Sequence, residues 1–278
     1  MKNKTNILLI LILVAGLSLL LYPSVSDYWN SFTQTEVIVD YTKQIENLDE
    51  EKYDRILSEA RAYNEKLVGR TNHYVLNEEQ EAEYEKLLDV SGIGIMGYIE
   101  IPSINCTLPI YHGTEDSVLQ IAVGHLEWSS LPVGGKSTHC VLSGHRGLPS
   151  AKLFTDLDKV IVGDIFVLRV LDEVFTYEVD SIIIVEPHET DSLLIEKEKD
   201  YCTLITCTPY AINTHRILVR GERVENPEES KNIRVVSEAV QIEPLIIAPI
   251  VAVPILLALF VKIMIPKKKS GGDGYDES

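Results

Sequence analysis

Between Gly94 and Val224 the chain is a succession of short runs rich in β-branched and apolar residues, each closed by glycine, proline or a polar cluster. The runs are Gly94 to Ile101, Leu108 to Tyr111, Val118 to Val123, Thr138 to Ser143, Asp164 to Leu171, Val174 to Val185, Tyr201 to Cys207 and Arg216 to Val224. Text of this kind suits strands, because branched and aromatic side chains pack well on a pleated surface. Many short strands with frequent turns argue a mainly β fold closed into a barrel. Ala151 to Leu157 reads as a helical turn, and Leu171-Asp172-Glu173-Val174 as a hairpin tip.

The last two runs carry chemistry. Pro209 cannot donate to a sheet ladder, so the first of them stops at about Thr208 and leaves Cys207 at a strand end. Arg216 opens the returning strand, so the hairpin brings a thiol and a guanidinium to one end of the sheet. Nearby positive charge favours the nucleophilic thiolate, and a guanidinium offers a rigid fork of donors to a developing oxyanion. The missing proton carrier is best supplied by His145, in Val141-Leu142-Ser143-Gly144-His145-Arg146-Gly147, where an apolar strand ends in a glycine-flanked histidine. Thr206 and Thr208 flank the cysteine, and their hydroxyls suit either substrate contact or strand-end hydrogen bonding.

The four cysteines are too few for a disulfide scaffold in 278 residues. Cys202 and Cys207 lie roughly 16 Å apart on one extended strand and on opposite faces, too far to pair. Cys106, Cys140 and Cys202 read as small buried hydrophobes. His125, His139, His215 and Cys140 have none of the spacings of a zinc site, so no metal is expected. A formal net charge of −17 makes nucleic acid an unsuitable partner.

Thr203-Leu204-Ile205-Thr206-Cys207 followed by Arg216 resembles the sortase signature, and Ser143-Gly144-His145-Arg146-Gly147 resembles that family's histidine motif. Met96 to Pro102, Leu108 to Gly113, Gly124-His125-Leu126, Thr206 to Tyr210 and Asn213 to Arg216 resemble the pilin-polymerising class C members. The resemblance covers about Ile93 to Val224. It implies a sortase-like closed β-barrel and a cysteine transpeptidase. Cys207 would attack a threonine carbonyl in an LPxTG-like sorting signal to give a thioacyl enzyme, with His145 as general acid and base and Arg216 stabilising the oxyanion. It also implies no cofactor, and pilin subunits carrying a sorting signal and an acceptor lysine as partners. Thr206, Thr208 and His125 would shape substrate binding. Wall anchoring or hydrolysis with the same residues is the alternative, and a membrane-tethered scaffold is the non-enzymatic one.

Around this core the text changes. Ile7 to Tyr22 is apolar and uncharged after Lys2 and Lys4, and Pro23 closes it; an uncleaved signal anchor and a cleaved signal peptide both fit. Residues 245–265 form a second apolar run followed by lysines, which places both termini inside and the middle outside. From Glu36 to Asp89 acids dominate. Ile45, Leu48, Tyr53, Ile56, Leu57, Ala60, Tyr63 and Leu67 fall near helical spacing, with Gly69 as a stop. Asn77-Glu78-Glu79-Gln80 resembles a capping box opening a second helix toward Leu88. Class C sortases usually carry a lid here, anchored by Asp-Pro-aromatic. That tripeptide is absent from the chain, and His73 or Tyr74 stands where it would be. The expected division is 1–26 signal anchor or peptide, 27–92 helical extension with a possible lid, 93–226 catalytic barrel, 227–244 linker, 245–265 transmembrane helix and 266–278 basic cytoplasmic tail. The expected address is the cell membrane, with the catalytic domain extracellular and the C-terminus cytoplasmic.

Overall fold

The structure, a computed structural model, describes residues 2–69 and 75–226. The chain divides into two compact units, and the one holding all the described strands begins at Ser26. The segments 227–244, 245–265 and 266–278 and the lid positions His73 and Tyr74 lie outside the described residues.

Three helices precede the sheet. The first, α1, covers Lys2–Glu46 and contains Pro23. Proline closes the uncharged apolar run but not the helix, since its ring removes one backbone donor and helices can absorb that loss. Helix α2 covers Glu50–Leu67 and starts where the Asp49 carboxylate accepts from the Lys52 N–H. Helix α3 covers Glu78–Tyr84 and opens on a complete capping box, in which Asn77 and Gln80 satisfy each other's backbone N–H. It is shorter than expected: the chain leaves it after Tyr84 and reaches a left-handed Leu88 at φ 63°.

The strands are β1 (Ile95–Ile101), β2 (Cys106–His112), β3 (Val123–His125), β4 (Thr138–Ser143), β5 (Ile165–Val170), β6 (Glu173–Val185), β7 (Asp200–Thr208) and β8 (His215–Arg223). They close into a barrel in the order β1-β2-β3-β4-β7-β8-β6-β5, with β5 pairing back to β1. Two neighbouring pairs are parallel, β2 with β3 and β4 with β7. The expected strand over Val118–Val123 is a correction. Asp116–Leu119 forms a short helix, α4, and only Val123–His125 is strand. A short apolar run fits either state, and the parallel β2–β3 pairing requires a crossover that turns the chain around. Within the helical turn expected over Ala151–Leu157 the Thr155 N–H donates to the Lys152 carbonyl and the Leu157 N–H to the Phe154 carbonyl, and the segment runs into a 3₁₀ helix over Leu157–Lys159.

The barrel interior is apolar, with Phe154, Phe166, Tyr177, Leu142, Leu204 and Val219 wholly buried. One face of α2, from Leu57, Ala60, Tyr63 and Leu67, joins the same core. Buried Asn64 fixes the docking. Its amide donates to the Leu131 carbonyl at 3.1 Å and accepts from the Leu131 N–H at 2.7 Å. Ile38 and Tyr41 of α1 pack on Ile95 and Tyr98, and the Tyr41 hydroxyl donates to the Met96 carbonyl at 2.7 Å.

Candidate active site

Strands β4 and β7 run parallel, from Thr138 opposite Asp200 to Ser143 opposite Ile205. The contact continues past the end of β4. The Gly144 N–H donates to the Ile205 carbonyl at 3.1 Å, and the Thr206 hydroxyl donates to the Gly144 carbonyl at 2.7 Å. One more step along each chain brings His145 level with Cys207. On the other side of β7, Cys207 pairs with Arg216 in the antiparallel β7–β8 register. His145 just past the end of β4, Cys207 in β7 and Arg216 in β8 therefore follow one another at one end of the barrel.

All three residues are half-buried, whereas Thr206 and Thr208 on either side of Cys207, which point to the opposite face of the strand, are buried. Among the described residues, neither the His145 ring nor the Cys207 thiol has a hydrogen-bond partner. The Arg216 guanidinium uses Nη1 to donate to the carbonyls of Asn213 and His215, at 3.2 and 3.1 Å. Its remaining donors have no partner among the described residues, so the fork is available to an incoming oxygen.

The segment around His145 is held by close packing. A Cβ on Gly144 would lie 2.7 Å from the ring of fully buried Phe154, and the Phe154 N–H donates to the His145 carbonyl at 3.1 Å. Gly147 sits at φ 75°, in the left-handed region, under the ring of Tyr210. Between them Arg146 pairs with Asp158, places Nη1 3.5 Å from the Thr208 hydroxyl, and lies 5.8 Å from the Tyr210 ring centroid. Arg146 thus bridges the loop after His145 and the strand end after Cys207. Asp158 carries no pattern in the sequence that marks it as a site neighbour, and Tyr210 stands there only as the last residue of the Thr206–Tyr210 motif, with no role attached.

Burial encloses two of the residues expected to shape substrate binding. His125 has no exposed surface. Its Nε2 donates to the Ser130 carbonyl at 2.9 Å, and its Nδ1 accepts from the Tyr84 hydroxyl at 3.0 Å. Both ring nitrogens are committed inside the protein, so no substrate reaches them. The Thr206 hydroxyl is spent on Gly144 and is equally enclosed. Thr208 lies at the strand end beside Arg146. His139 is buried between the Leu194 carbonyl and the Thr203 hydroxyl, and burial lowers its pKa to about 4. The cysteines are all free. Cys140 and Cys202 are buried neighbours across β4 and β7, and burial pushes the Cys106 thiol up to about 12.

Comparison with known proteins points to one family. Residues 99–224 match the Sortase domain family. Sortase D of Bacillus subtilis is 34% identical over 131 residues, which are 46% of this chain and 63% of that protein. The chain thus spans less than two thirds of that relative, and 56% of Sortase A from Streptococcus agalactiae. The solved structure of sortase C1 from Streptococcus agalactiae is 49% identical, with a TM-score of 0.68, and the alignment covers 69% of this chain and all of that one. Sortase C-1 from Actinomyces oris is 42% identical with a TM-score of 0.59, covering 63% of this chain and 99% of that one. With a cysteine and an arginine paired on adjacent strands, a histidine just past the end of a third, and a barrel that aligns over the whole of a solved sortase, the chain belongs to the sortase family of cysteine transpeptidases.

Proposed function

We propose that this protein joins a sorting-signal polypeptide to a lysine amine of a pilin subunit, at the outer face of a membrane. The observation that carries the reading is the gathering of Cys207 on β7, Arg216 opposite it on β8 and His145 just past the end of β4 at one end of the barrel. The Cys207 thiolate attacks the threonine carbonyl of an LPxTG-like signal, and the developing oxyanion takes the free donors of Arg216. The C–N bond breaks as His145 gives its proton to the leaving amine, which leaves a thioester on Cys207. The incoming lysine amine then attacks that carbonyl, loses a proton to His145, and the C–S bond breaks. No redox partner enters either half.

Support for the pilin acceptor comes from the likeness to class C enzymes. Besides the two C-type structures above, Streptococcus pneumoniae sortase C, whose structure is described as bearing on pilin substrate specificity, is 41% identical with a TM-score of 0.60 and 97% covered. The membrane address is supported by α1, which is long and apolar enough to cross a bilayer and whose most apolar stretch is uncovered by protein. Wall anchoring, or hydrolysis with water as acceptor, uses the same three residues and differs only in what attacks the thioester. Incubation with sorting peptides and purified pilins, with covalent products read by mass, separates them. An amide adduct to a pilin lysine is expected; free acid alone would refute polymerisation. Cys207→Ala is expected to abolish both adduct and thioacyl enzyme while the fold persists, and continued adduct formation would refute the nucleophile.

A further inference from the structure

Helix α1 has two unlike faces where it passes the barrel. Asp27, Asn30, Gln34, Ile38 and Tyr41 recur at three- and four-residue spacing, so they share one face. That face is bonded to the catalytic unit. The Asp27 carboxylate accepts from the Lys152 N–H at 2.6 Å, the Asn30 amide donates to the Ser150 carbonyl at 2.7 Å, and the Gln34 amide donates to the Ile121 carbonyl at 2.7 Å. Roughly half a turn around, at 100° per residue, lie Tyr28, Trp29 and Phe32. They are 50, 68 and 58% exposed. The same face turns charged one helical turn later, with exposed Glu36 and Asp40.

We propose that Tyr28, Trp29 and Phe32 lie in the headgroup layer of a lipid bilayer, and that the opposite face of α1 thereby sets the segment after His145 at a fixed height above the lipid. The inference rests on the reading that the N-terminal apolar stretch is in a membrane. Three arguments choose lipid as the occupant. The aromatic face comes five residues after the uncharged apolar run Ile7–Tyr22, within the helix long and apolar enough to cross a bilayer, and tyrosine and tryptophan prefer the membrane–water boundary, where an apolar ring and a polar edge are both satisfied. The face is brief and gives way to carboxylates, as the edge of an interfacial belt must. It is also too small for a stable pairing of copies: three aromatic side chains cover at most roughly 450–750 Å², against about 800 Å² per partner in a stable interface.

The second half of the inference follows from the bonds. Ser150 and Lys152 belong to the stretch between His145 and Phe154, and the Phe154 N–H holds the His145 carbonyl. The helix that touches lipid on one side therefore grips the histidine loop on the other. A substrate whose sorting signal is itself tethered to the bilayer would meet the thiol at matching depth, whereas a free peptide would gain nothing from this placement.

The test uses the full chain in phosphatidylcholine vesicles, with Trp128→Phe so that Trp29 is the sole tryptophan of the two in the sequence. Flotation of the vesicles reports whether the chain is in the membrane at all. Trp29 emission is then read with lipids brominated near the headgroup end of the acyl chain, with lipids brominated near its terminus, and with aqueous iodide. The expected result is loss of most emission with the shallow label and little with the other two. Quenching by iodide alone places the face in water. Emission untouched by all three places it under protein, as in a dimer. Either result, in a chain that floats, overturns the inference while leaving the membrane span intact; failure to float overturns both. Tyr28→Ser with Phe32→Ser is expected to leave turnover of a free sorting peptide unchanged and to lower turnover of a lipid-tethered one. Equal loss on both substrates, or loss on neither, overturns the height-setting role.

Discussion

The barrel contains two Gly-His pairs, each at the end of a strand that runs parallel to a neighbour, and they have opposite fates. Gly124-His125 ends β3 beside β2, and Gly144-His145 follows β4 beside β7. Both glycines are required by close approach: a Cβ would collide with the Gly113 carbonyl oxygen at the first and lie 2.7 Å from the Phe154 ring at the second. Beyond that the two ends differ. His125 is roofed by α3, whose Tyr84 hydroxyl bonds Nδ1 and also accepts the Gly113 N–H at 3.0 Å. His145 has no such roof among the described residues and keeps its ring free. A histidine with both nitrogens answered by the protein is a structural strut, while one left unanswered beside a thiol is available for proton transfer.

Four substitutions or titrations press on that contrast. The largest effect is on activity. His145→Ala is expected to lower kcat by roughly 10²–10⁴-fold with little change in unfolding midpoint, because its ring makes no internal hydrogen bond. An equal loss of stability would make His145 a strut like His125.

Next comes the response to acid. Burial holds His139 neutral with a pKa of about 4, below the roughly 6.5 of an unfolded histidine. Between those values the unfolded chain takes up a proton that the folded one refuses. Stability therefore falls as pH drops from about 6.5 to about 4, by on the order of 3 kcal/mol, and this group adds no further loss below that. Half-buried His112, its nitrogens set 2.9 and 2.8 Å from the Gly94 and Leu87 carbonyls, is lowered by burial and contributes in the same direction. Urea unfolding at a series of pH values should show the slope, and His139→Gln should flatten it; an unchanged slope would place the acid sensitivity elsewhere.

Smaller is the loss in Tyr84→Phe. It leaves the His125 Nδ1 and the Gly113 N–H buried without a partner and is expected to cost about 1–3 kcal/mol of stability. Turnover per folded molecule should not change; a fall in kcat at full folding would bring His125 back into the reaction. The smallest effect belongs to the capping box: Asn77→Ala should cost about 1 kcal/mol and fray only α3, visible as faster amide exchange over residues 78–84.

Much of this was legible before any coordinates. Hairpin β7–β8, with Pro209 ending one strand and Arg216 opening the other, follows from local chemistry: proline lacks a donor and branched residues favour the pleat. The Asn77–Gln80 box is local for the same reason. The run Val118–Val123 was illegible because five apolar residues interrupted only by Gln120 fit either a strand or a helical turn, and the parallel β2–β3 pairing decided between them. The cover over His125 is not legible in its motif, because the covering residue, Tyr84, lies 41 positions away.

Residue types and spacing alone determined that the chain holds many short strands, that a thiol and a guanidinium share one hairpin end, and that a glycine-flanked histidine closes another strand. Those are consequences of backbone conformation and side-chain chemistry, which act over a few residues. Tertiary structure alone decided that β4 lies beside β7 in the one register that brings His145 level with Cys207, that Thr206 and His125 are sealed, and that α1 holds the histidine loop from outside. Each of those depends on pairing and burial between distant segments, and a slip of one residue in the β4–β7 register would turn every side chain of a strand to the other face.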